Sequence, residues 1–103
     1  NVAASTAFGM GWVRVGNNVT VSGRVEIDVT LTATATALGM TIPIASDFAA
    51  AAQLAGVGFC GAIAGLGLSI SADTTNNRAT LEFVSSDINN QPFNVIFCYR
   101  VMA

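Results

Sequence analysis

From Val19 to Asp28 the chain alternates without a slip, with Val19, Val21, Val25 and Ile27 at odd positions and Thr20, Ser22, Arg24, Glu26 and Asp28 at even ones. A period of two is the signature of a strand with one face on a core, because successive side chains leave opposite faces of the pleat. The preceding segment, Phe8 to Val15, places Phe8, Met10 and Trp12 in the same alternation. Gly16-Asn17-Asn18 separates the two, and Gly and Asn are the residues that tolerate a tight hairpin turn. A two-residue turn, Gly16-Asn17 or Asn17-Asn18, sets even positions of the first strand beside odd positions of the second. Phe8, Met10 and Trp12 then join Val19, Val21, Val25 and Ile27 on one buried face. A three-residue turn would set the aromatics beside Arg24 and Glu26, since a one-residue slip exchanges the faces wholesale.

The rest of the chain continues in short apolar runs. Leu38 to Ile44 reads as a strand that Pro43 confines to a sheet edge or a bulge. Thr30 to Thr36 is loop or strand, and Ala49 to Ala52 are too few to make more than a helical turn. Gln53 to Ala62, Leu66 to Ser71 and Ala79 to Val84 read as strands, with a turn over Asp73 to Asn77 whose side chains can bond their own backbone. After the polar loop Asp87 to Pro92, the segment Phe93 to Met102 is apolar on both faces. Such a strand belongs at the centre of a sandwich or at a subunit interface. The expected fold is all-β, a single domain over residues 1–103 forming an antiparallel β-sandwich or jelly roll of about seven to eight strands. Trp12, Val21, Val25 and Phe97 are expected in its core.

Composition adds a constraint on the surface. Hydrophobic residues make up 52% of the 103 and charged residues 10%, against about 25% charged in ordinary soluble domains. So few charges cover a free surface poorly, which implies that apolar surface faces another copy or a larger particle. A net charge of −2 without a single Lys leaves no basic footprint for nucleic acid. His is absent as well, which removes the commonest general base and metal ligand. Neither an enzyme nor a cofactor is therefore expected. Between Asp47 and Asp73 no charge occurs, but that stretch is mostly Ala and Gly and lacks flanking Lys or Arg. Membrane insertion is not expected from it. Cys60 and Cys98 each sit in an apolar run, either bridged or as free buried thiols. A start at Asn1 without a charged leader reads as part of a longer protein.

Few groupings suggest chemistry. Gly56-Val57-Gly58-Phe59-Cys60-Gly61 matches G-x-G-x-x-G, yet no βαβ pattern surrounds it, and glycines in a strand more often mark close backbone packing. Glu26 and Asp28 share a strand face behind Arg24, as a carboxylate pair or, more simply, as a solvated surface. Asp73 with Asn76 and Asn77 lacks the length and glycine of a calcium loop and reads as a turn. No G-x-S-x-G is present, and Asn18-Val19-Thr20 is a glycosylation sequon with meaning only in a eukaryotic secretory context. Arg14 and Arg100 follow Trp12 and Tyr99, where an arginine either extends to a sheet end or pairs across an interface. Arg14, Tyr99 and Arg100 are thus the candidate oligomer-interface residues, with no catalytic, cofactor-binding or metal-ligating residue proposed.

Four stretches, taken in order, resemble the C-terminal domains of bacteriophage tail-fibre and related phage structural proteins. They are Trp12 to Val25, Leu38 to Phe48, Asn76 to Leu81 and Phe97 to Val101, and together they span nearly the whole chain. The resemblance implies a non-enzymatic structural module of the virion, in the tail or another external structure, packed as a homotrimer. It further implies contact with a host-surface glycan or protein. The alanine-rich Ala49 to Ala52, Cys60 and Cys98 depart from the family's pattern. A carbohydrate-binding module attached to an enzyme is the alternative, and it would need an exposed aromatic platform, which the expected burial of Trp12 and Tyr99 argues against.

Overall fold

Gly16, with φ of +60°, lets the chain reverse in two residues, so that Val15 pairs with Asn18 across a tight hairpin. A Gly in the first central position is what a type II′ turn requires. In this computed structural model, which describes residues 1–102, seven strands follow one another: β1 (Val2–Val15), β2 (Asn18–Val29), β3 (Ala35–Met40), β4 (Leu54–Cys60), β5 (Gly67–Asp73), β6 (Arg78–Val84) and β7 (Gln91–Arg100). A single 3₁₀ turn, Ala51–Gln53, precedes β4. The strands form one antiparallel sheet in the order β1-β2-β7-β4-β5-β6-β3.

The alternation read from the sequence selects the inner face. Val19, Val21 and Val25 of β2 stand opposite Tyr99, Phe97 and Phe93 of β7, and all six are buried. Leu68 and Ile70 of β5 and Leu81 and Phe83 of β6 supply the other wall. The sheet curls until strands that share no hydrogen bonds touch: the rings of Phe83 and Phe93 lie 4.8 Å apart. The result is the two-layer packing of a sandwich made by one continuous sheet, and the all-β antiparallel expectation holds.

Glycine permits close packing where β4 lies beside β7. A Cβ on Gly56 would lie 2.3 Å from the Ile96 carbonyl oxygen and 2.4 Å from Phe97 Cβ, and one on Gly58 would lie 2.8 Å from Val95 Cγ1. Gly56 and Gly58 are the first two glycines of the G-x-G-x-x-G match. They sit within a strand and leave the room that the β7 side chains occupy.

Segment 41–50 closes one end of the curl. Phe48 is buried and meets Tyr99 edge-on, with ring centroids 5.8 Å apart and planes at 81°. Its backbone N–H donates to Asn77 Oδ1 at 3.1 Å, tying the segment to the β5–β6 turn.

Several expectations need correction. β1 begins at Val2 and β7 runs from Gln91 to Arg100, each extending earlier than the apolar pattern suggests. β3 starts at Ala35 and stops at Met40, so Pro43 lies outside the ladder of this edge strand. Phe8 is not on the inner face. Between Phe8↔Arg24 and Gly11↔Ser22, β1 holds one residue more than β2, a bulge carried by Gly9 at φ +57°. Opposite it, a Cβ on Gly23 would lie 2.3 Å from Met10 Sδ and 2.8 Å from Met10 Cα. Gly23 therefore permits the bulge, and the extra residue turns Phe8 to the outer face beside Arg24. Trp12 keeps its expected register opposite Val21 but is 53% exposed. It faces inward at an outer strand, with no further strand beyond β1 to cover it.

Candidate interaction surface

The three candidate interface residues share one end of the sheet but do not converge. Tyr99 points into the core and is 3% exposed. Its hydroxyl donates to the Ile44 carbonyl at 2.8 Å and accepts from the Ile44 N–H at 3.1 Å. Burial raises its pKa above the usual phenol value, opposed by the Ile44 bond and by the charge of Arg14. Tyr99 thus pins segment 41–50 to the sheet within one chain, which revises its reading as an interface side chain. Arg14 stands opposite Val19 on the inner side of β1, exposed, with Nε donating to the Gly16 carbonyl at 2.8 Å. Arg100 is exposed on the outer face.

Two of the acidic groups, Glu26 and Asp73, are engaged with near neighbours. Arg24 Nη2 lies 2.8 Å from Glu26 Oε2, its guanidinium sits 5.8 Å from the centre of the Phe8 ring, and Asn90 donates to Glu26 Oε1. Phe8, Arg24, Glu26 and Asn90 thus form one continuous surface strip. Asp73 Oδ1 accepts from the backbone of Thr75 and Asn76 at 3.0 and 3.1 Å, while Oδ2 accepts from Asn76 Nδ2 at 2.9 Å and Arg78 Nε at 3.1 Å. The Asn76 side chain foremost, then its backbone N–H, lowers the Asp73 pKa to about 2. Those contacts satisfy the carboxylate as a turn cap, and among the described residues no cluster of three metal-ligating side chains occurs.

Cys60 is buried on the inner face and Cys98 is exposed on the outer one, and both are free. Opposite faces of a sheet cannot be bridged by the short reach of a disulfide. Among the described residues no helix is long and apolar enough to cross a membrane.

The described residues do present uncovered apolar surface, most of it in two places. The first is β1, where Phe8, Trp12, Val13 and Val15 are 47, 53, 58 and 72% exposed. Curling brings the end of β3 near β1, and the seam between them is a groove of about 270 Å³ lined by Met10, Trp12, Met40, Ile42 and Pro43. The second is the outer face of β4 and β7, where Val57 pairs with Ile96 and both are half-exposed, with Phe59 beyond them. The apolar outer side of β7 was legible in the sequence, whereas the groove was not, because it is made by two strands at opposite ends of the sheet order.

No protein-family model matches this chain, and neither a curated protein nor a solved structure is similar to it.

Proposed function

We propose that this chain is a self-associating, non-catalytic structural module of a phage virion, a homotrimer in the tail or another external structure, where it contacts a host-surface glycan or protein. The observation that carries the self-association is β1, an edge strand whose large apolar side chains, Phe8, Val13 and Val15 on one face and Trp12 on the other, stay half exposed or more. Contiguous apolar surface of that kind marks an interaction site, and long unguarded edge strands are templates for pairing and aggregation. The virion assignment and the three-fold state come from the resemblance of Trp12 to Val25 and the three later stretches to phage tail-fibre domains. Light scattering during size exclusion at micromolar concentration tests the association. A mass near three times 10.5 kDa is the expected result, and a well-folded monomer overturns the reading.

A second reading gains from the exposure of Trp12. An aromatic face open to solvent is the platform that a carbohydrate-binding module needs, so the objection to that alternative falls. Against it, Thr41 is the only polar side chain among the residues lining the groove beside Trp12, whereas a sugar ring needs several hydrogen-bond partners. Titration of Trp12 fluorescence with envelope polysaccharide separates the two: a saturable shift in a monomer favours carbohydrate binding.

A further inference from the structure

β1 carries two different apolar patches, one on each side. Its pairing with β2 sets Val13 and Val15 opposite Thr20 and Asn18 on the outer face, while Trp12 looks toward the seam groove and Met10 lines it. A two-fold dimer through either patch would cover that patch in both copies and leave the other bare. A head-to-tail contact covers both, and a head-to-tail contact repeated by rotation closes into a ring.

We infer that the outer face of β1, led by Val13 and Val15, seats in the groove between β1 and β3 of the next copy of this chain. The inference rests on the self-association proposed above and adds which surfaces carry it and in what sense. Each chain holds one donor ridge and one acceptor groove, so the two occur in equal number without any other partner. No residue lining the groove is ionisable, and Met10, Trp12, Met40, Ile42 and Pro43 are among its larger side chains, so seating a valine ridge there strands no buried charge. Methionine pairs such as Met10 and Met40 adapt to the shape that enters. Arg14 is the one charge in β1, and its Nε is turned back onto the Gly16 carbonyl. Phe8 and Trp12, each about half exposed, leave roughly 200 Å² of aromatic surface bare between them. A ring buries two patches in every copy rather than one, which brings a strand this narrow toward the roughly 800 Å² per partner of stable interfaces.

Cross-linking decides the sense of the contact. Val13→Cys and Thr41→Cys are made separately in a Cys98→Ser background, so that no exposed native thiol competes, and Thr41 is exposed at the groove. Co-expressed and oxidised, the two variants are expected to give covalent dimers, while neither variant alone gives any. Trp12→Glu in the parent chain is expected to weaken association at least about tenfold with an unchanged circular dichroism spectrum, as for a central interface aromatic. Covalent dimers from Val13→Cys alone would show a two-fold contact and overturn the inference. An oligomer with no mixed cross-link, or one indifferent to Trp12→Glu, overturns the inference and leaves the self-association standing. A monomer by light scattering overturns both.

Discussion

Replacing Tyr99 with Phe removes one oxygen and keeps the ring. That oxygen holds both backbone groups of Ile44, accepting from its N–H and donating to its carbonyl. Segment 41–50 has only a few other polar ties to the rest of the chain, among them Phe48 N–H to Asn77 Oδ1 and Ser46 Oγ to the Arg100 carbonyl. A buried donor or acceptor left without a partner costs about 1–3 kcal/mol. Ile44 is half-buried, so water can replace part of what is lost, and a total near 2 kcal/mol is the expectation. For a domain of this size each kcal/mol lowers the melting temperature by about 4–8 °C, so the variant should melt roughly 8–16 °C below the parent at equal protein concentration. Hydrogen exchange localises the effect: the Ile44 amide should exchange faster, while amides of β2 and β7 that exchange only on global unfolding follow the overall stability. Alkaline titration adds an independent check. The folded-state pKa of Tyr99 is raised, so its contribution is present below the ordinary phenol pKa and lost as pH rises through the folded value. The parent should lose stability above about pH 10, and Tyr99→Phe should lose less. A melting temperature within 1–2 °C of the parent, with Ile44 as protected as before, would refute the account of Tyr99 as the latch of this segment.

The remaining predictions concern packing, charge and thiols. Gly56→Ala places a methyl against the Ile96 carbonyl and Phe97 and should destabilise by about 1–3 kcal/mol in urea unfolding; an unchanged midpoint would mean that β4 does not pack as closely as described. Asp73, with its pKa lowered to about 2 from 3.8, contributes stability above about pH 4 that is lost as pH falls toward 2. Asp73→Asn should flatten the stability profile across that window, and parallel profiles would discount the turn cap. With both thiols free and only Cys98 exposed, a thiol reagent should modify Cys98 in the native protein and Cys60 only after denaturation. Equal reaction rates would contradict their placement on opposite faces.

Alternation is a local property of the backbone, and it is what the sequence determined. Val19, Val21, Val25 and Ile27 had to share a face, the chain had to turn within Gly16-Asn17-Asn18, and the outer side of β7 had to be apolar, whatever the rest of the chain did. Gln91 escaped this reading because a polar residue at the head of a strand gives no apolar signal, yet it is fully buried with Nε2 on the Asp87 carbonyl. Phe8 was misplaced because a bulge breaks the period, and its determinants, Gly9 in one strand and Gly23 in the next, are recognised only once the two are paired. Trp12 was misplaced for a different reason: its face was right, but coverage depends on strand order. β7 inserts between β2 and β4, and β1 is left at the rim, where only the end of β3 approaches it across an open groove. Which strands lie at the edges is fixed by pairings between residues as far apart as Val19 and Tyr99, and those pairings are chosen by the best burial of the whole chain. The pattern along a strand says which side faces inward, and only the closed tertiary structure decides whether anything is there to meet it.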